Sequence, residues 1–251
     1  MKTYFGEDCN SYSVRTFRDA MEAIEEGAAD YAVLPIENST AGAVNEVYDL
    51  LVEFENYIVG EVIIPITHTL AGLPGTQLSE LKRVYSKAEA LMQTTRFLEE
   101  HSDWQQISVA NTAIAAKKIL DDQDRTQAAV CSAYAAKVYG LEVLEDNIND
   151  ESGNCTRFII VTNQKVFLKG AKKISICFEV PHESGSLYHL LSHFIYNDLN
   201  MSKIESRPIE GRSWEYRFFV DFEGNLEEPG VKNALRGLRE ESRSLKILGN
   251  Y

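Results

Sequence analysis

The sequence predicts an α/β protein with two lobes around a central cleft, followed by a smaller βαββαβ module. Three observations support this fold class. Short apolar segments alternate with amphipathic ones over the first two thirds of the chain, which is typical of strands alternating with helices. An extended segment, residues 57–72, interrupts this alternation and can pass from one lobe to the other. After residue 172 the predicted order of elements changes to strand, helix, strand, strand, helix, strand.

The first lobe is predicted to begin with a helix, a strand and a second helix. Thr16 and Asp19 have the spacing of a capping box, which opens a helix that runs to Glu26 and stops at Gly27. A strand at 31–36 and a helix at 44–53 follow. The same order then recurs with strands at 82–85, 107–110 and 128–131 and helices at 87–100, 113–120 and 133–139. This repetition predicts a mainly parallel sheet, or two such sheets.

Composition argues against several classes of partner. The chain has 25 Lys and Arg against 38 Asp and Glu, a net charge of -13, and no basic cluster that could follow a phosphate backbone, so a nucleic-acid partner is not expected. The longest apolar run, residues 57–66, is shorter than the roughly 20 residues of a membrane helix. Without a signal-peptide pattern, and with four scattered cysteines, the sequence predicts a cytoplasmic protein with reduced thiols.

The loop 146–154 ends at Asn154, and Thr156 and Arg157 then begin an apolar, β-branched run that predicts a buried strand. A hydroxyl beside a guanidinium can hydrogen-bond a leaving oxygen and bind a carboxylate, which suits an anionic substrate that loses an oxygen. The alternative is a strand start capped by a threonine, with an arginine at the surface. Both interpretations remain open at the level of these residues.

Polar residues also stand where strands end and helices begin. In open α/β sheets ligands bind at these positions, where helix N-termini carry partial positive charge. The side chains concerned are Asn38, Ser39, Thr40, Ser86 and Thr112. The alternative is that they are ordinary helix caps, because Ser, Thr and Asn are the preferred residues there.

No metal or nucleotide cofactor is predicted. His189 and His193 have the i, i+4 spacing of metal ligands, but no third ligand accompanies them. Residues 72–75 form a glycine-rich turn without the lysine of a phosphate loop, and the chain has no G-x-G-x-x-G pattern. In the βαββαβ module, an exposed sheet edge is expected to pair with another subunit. The polar cluster 205–208 on its second strand is either a ligand contact or a solvated edge.

Taken together, five segments resemble one known family. They are Pro35-Ile36-Glu37-Asn38-Ser39, Val84-Tyr85-Ser86 with Gln93 seven residues after the serine, Thr156-Arg157-Phe158, Gly185-Ser186-Leu187, and the run from Leu199 and Asn200 through Met201 to Pro208. In this order they are similar to prephenate dehydratases with a C-terminal ACT regulatory domain.

The resemblance implies a periplasmic-binding-protein-like catalytic domain at 1–168 and a ferredoxin-like ACT domain at 172–251. It further implies conversion of prephenate to phenylpyruvate without a cofactor, and feedback inhibition by L-phenylalanine bound at ACT interfaces of a homodimer or homotetramer. The catalytic residues would be Thr156, Ser86, Gln93 and Asn38. The substrate-binding residues would be Ser39, Thr40, Thr112, Asn154, Arg157 and Phe158. The effector-binding residues would be Gly185, Ser186, Leu187, Leu199, Asn200, Glu205, Ser206, Arg207 and Pro208.

The sequence departs from the family pattern at its start. Family members usually begin with a strand and a Gly-x-x-Gly turn, and this sequence begins after both. A chorismate mutase domain, which precedes the dehydratase in some relatives, is expected to be missing as well. The alternative hypothesis is therefore an N-terminally truncated, catalytically inactive fragment that binds phenylalanine. Lys87 and Glu89 also replace the His and Gln that are common beside Ser86.

Overall fold

A computed structural model of the protein describes residues 1–251 and contains two sheets with helices packed on them. The chain divides into two units. Unit 1 consists of residues 1–64 and 156–251, and unit 2 of residues 65–155. The α/β class is confirmed, and so is the passage of the extended segment from one unit to the other. The domain limits at 168 and 172 remain a prediction.

The elements follow the predicted order closely. The helices are α1 (Lys2–Phe5), α2 (Phe17–Glu25), α3 (Asn45–Glu53), α4 (Ala88–Met92), α5 (Thr95–Glu99), α6 (Thr112–Asp122), α7 (Ala133–Val138), α8 (Ser186–Ile195) and α9 (Pro229–Glu241). The strands are β1 (Ala32–Asn38), β2 (Gly42–Ala43), β3 (Tyr57–Pro65), β4 (Thr69–Gly72), β5 (Arg83–Ser86), β6 (Gln105–Ser108), β7 (Gln127–Cys131), β8 (Glu142–Glu145), β9 (Cys155–Thr162), β10 (Lys173–Glu179), β11 (Met201–Pro208), β12 (Tyr216–Glu223) and β13 (Ser244–Asn250). None of the helices combines the length and the apolar composition that crossing a bilayer requires.

Unit 1 is built on one continuous sheet, in the strand order β11-β12-β10-β13-β3-β9-β1-β2. The βαββαβ module, residues 173–250, joins the earlier strands where Gly249 of β13 pairs with Ile58 of β3. A β-carbon at position 249 would collide with the backbone of Ile58, so this junction requires glycine. Phe219 and Leu248 of the module are buried in the same apolar core as Leu34 of β1. The module and the N-terminal strands therefore share one core.

In unit 1, β1 and β9 run antiparallel and carry two of the predicted site residues. Their register pairs Asn38 with Thr156, and it shifts between Pro35 and Glu37. A shift is expected there, because proline has no backbone N–H to donate to the ladder. Ile159 and the two residues after it are fully buried, which anchors the strand that begins at Thr156.

The sheet of unit 2 has the order β6-β5-β7-β4-β8. Strand β5 pairs in parallel with β6 and β7, whereas β4 is antiparallel to β7 and β8. The expectation of mainly parallel sheets is therefore wrong, and both sheets are mixed. The physical reason is topological. Strand β4 runs antiparallel to both of its neighbours, and β1 pairs antiparallel with β9, a strand far along the chain that no single crossover helix joins to it.

The single helix predicted at 87–100 is also wrong, because the chain forms two short helices with a break at residues 93–94. The buried hydroxyl of Thr94 donates to the carbonyl oxygen of Ala90 at 2.9 Å. The carboxylate of Asp150 accepts the backbone N–H groups of Thr95 and Arg96, both at 2.9 Å, and so starts the second helix. Side chains that bond to the backbone in this way compete with helix continuation.

Candidate active site

Asn38 and Thr156 form the first polar cluster, which lies in unit 1. Asn38 Nδ2 donates a hydrogen bond to Thr156 Oγ1 at 3.0 Å. Asn38 Oδ1 accepts the backbone N–H groups of Thr40 at 3.0 Å and Ala41 at 2.9 Å. The amide of Asn38 is therefore oriented by the turn that follows β1. Its NH₂ group points toward the threonine.

This contact determines what Thr156 can do chemically. A threonine hydroxyl has one hydrogen to donate and two lone pairs that accept. Because its oxygen accepts from Asn38, its own hydrogen is available for another acceptor. The side chain is half-buried, so that acceptor can be a bound molecule. The sequence predicted both residues, and the structure brings them into contact.

Arg157, which follows Thr156, is engaged by carboxylates of the protein itself. Its Nη2 donates to Asp221 Oδ2 at 2.5 Å, and its Nε lies 3.7 Å from Glu61 Oε2. Asp221 Oδ1 also accepts from Ser175 Oγ at 2.6 Å. Burial would lower the pKa of Arg157, but Asp221, together with Tyr251 and Glu61, outweighs burial and raises it. The carboxylate bound by Arg157 here is Asp221, and its role toward a substrate remains a prediction.

The other predicted residues of unit 1 lie around this pair. Phe158 is half-buried and pairs with Pro35 across the two strands. Ser39 and Thr40 are exposed in the turn after β1. Contact of these residues with a substrate remains a prediction.

Gln93, Asn154 and His68 form the second polar cluster, which lies in unit 2. Gln93 stands at the break between α4 and α5. Its Oε1 accepts from Asn154 Nδ2 at 3.1 Å and lies 2.9 Å from His68 Nε2. The sequence predicted Gln93 and Asn154 but missed His68. The only signal for His68 was a lone histidine within an extended apolar segment, 25 residues away from Gln93 in the chain.

Ser86 and Thr112 are the remaining predicted site residues of unit 2. Ser86 is fully buried, and its hydroxyl donates to the carbonyl oxygen of Val130 at 2.6 Å. Thr112 is the first residue of α6, but the cap is Asn111, whose Oδ1 accepts the backbone N–H of Ile114 at 2.8 Å. Neither side chain caps a helix, so the alternative of ordinary helix caps is wrong for Ser86 and Thr112. Their proposed roles toward a substrate remain predictions.

A cavity of about 250 Å³ in the βαββαβ module is lined by the first group of predicted effector residues, Gly185, Ser186 and Leu187. Gly185 caps α8 with a positive φ of 83°, which glycine adopts without strain. Aromatic side chains complete much of the wall, namely Tyr188, Trp214, Tyr216 and Phe218.

The second group of predicted effector residues does not line this cavity. Alternate residues of β11 face opposite sides. Arg207 binds Asp49 of α3 through two hydrogen bonds, at 3.0 and 2.6 Å, and Glu205 lies 3.6 Å from Lys203. Ser206 and Pro208 are exposed on the other face. Of the preceding residues, Leu199 packs on the module's core, and Asn200 donates to Glu223 at 3.1 Å.

Neither buried cysteine is suited to nucleophilic chemistry. Burial raises the pKa of Cys131 to about 11 and that of Cys177 to about 12, so both stay protonated near neutral pH. Nowhere along residues 1–251 do three or more His, Cys, Asp or Glu side chains gather as a set of metal ligands.

The fold and these clusters define a two-unit α/β protein with a C-terminal βαββαβ module and two clusters of polar side chains. A family model for prephenate dehydratase matches residues 1–166. The chain belongs to the prephenate dehydratase family.

Individual relatives agree with this assignment. A bifunctional chorismate mutase/prephenate dehydratase of Aquifex aeolicus (strain VF5) is 39% identical over 250 residues, covering 99% of this chain and 68% of that protein. For eight of the curated relatives it matches, the chain spans between 61% and 68% of their length.

Two solved structures are similar over 94% of this chain. A prephenate dehydratase in complex with L-Phe from Arthrobacter aurescens has a TM-score of 0.85 and 33% identity, with 79% of that chain covered. A quorum-quenching acylase, GqqA, has a TM-score of 0.86 and 32% identity, with 86% of that chain covered.

Proposed function

We propose that the protein is a prephenate dehydratase, which converts prephenate to phenylpyruvate with loss of carbon dioxide and water in L-phenylalanine biosynthesis. The observation that carries the proposal is the contact of Thr156 with Asn38, which leaves the threonine hydroxyl hydrogen available as a donor. Membership of the family indicates the class of substrate. The contact indicates that Thr156 can donate a hydrogen bond to the oxygen that leaves this substrate.

The reaction mainly requires orientation and help for the leaving oxygen. The bond between the ring and its carboxylate breaks, and the carboxylate leaves as carbon dioxide. Its electron pair shifts through the ring and displaces the hydroxyl group at the opposite ring carbon, whose C–O bond breaks. The ring becomes aromatic only when both bonds are broken, and the departing hydroxide takes up a proton from solvent to give water. A hydrogen bond from Thr156 to that oxygen stabilises the charge that develops on it, an effect on the order of 10²–10³ in kcat for one preorganised donor.

We also propose that L-phenylalanine binds at the cavity lined by Gly185, Ser186 and Leu187. Its aromatic wall suits an aromatic side chain, and the backbone N–H groups at the start of α8 suit a carboxylate. Because the 205–208 segment is not part of the same cavity, a second copy of the chain would have to supply it. A homodimer or homotetramer is therefore part of the proposal. The proposal also includes a cytoplasmic location, a catalytic domain at 1–168 and an ACT domain at 172–251.

Turnover of prephenate by the purified chain tests the proposal, with Thr156→Val and Thr156→Ser as a matched pair. We expect phenylpyruvate to form, L-phenylalanine to suppress its formation, and Thr156→Val to lower kcat by about 10²–10³. Thr156→Ser keeps the hydroxyl and should retain most of the activity. Equal rates for Thr156→Val and the parent protein would overturn the role of Thr156.

Two other results would point away from an active dehydratase. Absence of turnover, together with a thermal midpoint that L-phenylalanine still raises, would favour the inactive phenylalanine-binding fragment. Hydrolysis of an N-acylated substrate in place of prephenate turnover would favour the acylase activity named for one structural neighbour.

A further inference from the structure

We infer that His68 is a positioning residue that fixes the amide of Gln93 with its NH₂ group directed outward as a donor to the substrate. The inference rests on the proposed function for its substrate, but its geometry lies wholly within unit 2. Nothing in the sequence singled out His68, and its role follows from three side chains that meet at one oxygen atom.

The first step concerns the orientation of the Gln93 amide. Asn154 Nδ2 lies 3.1 Å from Gln93 Oε1, and because an amide NH₂ group can only donate, the Gln93 oxygen accepts this hydrogen bond. His68 Nε2 approaches the same oxygen at 2.9 Å. Because a carbonyl oxygen can only accept, His68 must donate from Nε2. Its neutral ring is therefore the tautomer that carries hydrogen on Nε2.

The second step is that His68 is itself held in place. The residue is 6% exposed. Its backbone N–H donates to Asn149 Oδ1 at 2.7 Å, and its carbonyl oxygen accepts the N–H of Ile148 at 3.0 Å. Asn149 Nδ2 in turn donates to the carbonyl oxygen of Ile66 at 3.1 Å. With its backbone fixed on both sides and its ring buried, the imidazole presents Nε2 to Gln93 in one direction.

The third step is what this leaves for a ligand. With Oε1 engaged by two donors, the Nε2 amino group of Gln93 is the free end of the side chain. Gln93 is half-buried, and its Nε2 has no hydrogen-bond acceptor among residues 1–251. Two N–H groups held in this way suit a carboxylate or carbonyl oxygen of a dianionic substrate. A rotated amide would present its oxygen instead and repel the same group.

The tautomer of His68 gives a test that does not depend on activity. With labelled histidine, nuclear magnetic resonance distinguishes the two neutral tautomers by the ring ¹⁵N and ¹³C shifts. We expect the hydrogen on Nε2, and Gln93→Ala should shift the His68 ring signals. A neutral ring with its hydrogen on Nδ1 would overturn the inference, because Nε2 could then only accept.

Three substitutions of His68 test the positioning role in turnover. Glutamine can place its Nε2 donor where the histidine Nε2 lies, asparagine is too short to reach that point, and phenylalanine keeps the bulk without a donor. We expect His68→Phe and His68→Asn to lower kcat/KM by about 10- to 100-fold and His68→Gln to recover most of it. Thermal midpoints of the three variants separate this pattern from a loss of folding. If His68→Gln were as inactive as His68→Phe while equally folded, the inference would fail.

A double-mutant cycle with Gln93 completes the test. If His68 acts through Gln93, His68→Phe should have little further effect once Gln93 is replaced by alanine. If the losses in kcat/KM of the two single variants simply add in the double variant, His68 does not act through Gln93. A parent protein that does not turn over prephenate would overturn the proposed function, whereas the tautomer measurement would still test the inference.

Discussion

The two polar clusters orient their donors in different ways. In unit 1 the hydroxyl of Thr156 is oriented by Asn38 across paired strands, and the next residue, Arg157, is held by a buried carboxylate. In unit 2 the amide of Gln93 is oriented by His68 and Asn154 at a helix break. In unit 1 the donor is therefore oriented by a side-chain hydrogen bond that the strand register sets, beside a buried charge pair. In unit 2 it is oriented by side-chain hydrogen bonds at a helix break.

This difference has consequences for what each unit tolerates. Strand register is maintained by many backbone hydrogen bonds and a buried core, so single substitutions should leave it intact. Buried charges are sensitive, because removing one partner leaves the other uncompensated. Unit 1 should therefore respond strongly to removal of a buried charge, and its Glu179 contacts should weaken in acid. The hydroxyl contact of Ser86 in unit 2, which does not titrate near neutral pH, should not respond to acid.

The largest effect is expected from Asp221→Ala. The Arg157 and Asp221 side chains are 14% and 9% exposed, and the substitution leaves the guanidinium buried without its main partner. We expect a loss of about 3–5 kcal/mol in the free energy of unfolding, measured by denaturant titration.

Asp49→Ala is the matched control for that experiment. It breaks a second Arg–Asp pair, with Arg207, in which the aspartate is 49% exposed. Asp49→Ala should lower the free energy of unfolding by no more than about 1 kcal/mol. Equal losses for the two variants would show that burial does not distinguish the pairs.

Asn38→Asp should have the next largest effect, on activity rather than stability. The new carboxylate can still accept the N–H groups of Thr40 and Ala41, so the turn should persist. It cannot donate to Thr156, and it attracts the threonine hydrogen that the substrate needs. We expect kcat to fall by about 10- to 100-fold with a thermal midpoint close to that of the parent protein. If turnover is unchanged, Asn38 does not contribute to the function of Thr156.

The smallest effect is expected from Glu179→Gln, and it should depend on pH. Burial would raise the pKa of Glu179, but hydrogen bonds from Arg217 at 2.7 Å and Arg212 at 2.8 Å outweigh burial and lower it. A lowered pKa means that the charged form stabilises the fold above the unfolded value of 4.5, and that this stability is lost as pH falls through the folded value. We expect Glu179→Gln to lower the free energy of unfolding, measured by denaturant titration, by about 1–2 kcal/mol at pH 7 and by less below pH ~4.5.

Ser86→Ala in unit 2 serves as the control for that pH dependence. It removes a buried hydroxyl bonded to Val130, and a hydroxyl does not titrate in this range. Its loss of about 1 kcal/mol should be the same from pH 4 to pH 7. A loss from Glu179→Gln that is equally constant would contradict the charge explanation.

Much of the fold was predictable because local signals agreed with the final structure. The capping box at Thr16 and Asp19 forms as expected, and the βαββαβ order is confirmed element by element. The paired site residues Asn38 and Thr156 were also predicted, since each ends or begins a strand with a clear apolar pattern.

What could not be predicted depends on contacts between residues distant in the chain. The break after α4 is stabilised by Asp150, more than 50 residues further along the chain. Likewise, Arg157 was expected to face a ligand, and its partner Asp221 is 64 residues away. The prediction of strand direction was wrong for the same reason, because an apolar pattern indicates a strand but not which strand pairs with it. No local pattern reports such pairings.

The order of strands in unit 1 has a consequence for how the chain is made. Residues 65–155 are contiguous, so unit 2 can fold on the ribosome as soon as they have emerged. Strand β1 must wait for β9, and β3 must wait for β13, which is synthesised almost 200 residues later. At roughly 5–20 residues per second, the apolar residues of β3 wait about ten seconds or more for this partner. During that interval the first strands are the part of the nascent chain most in need of a chaperone.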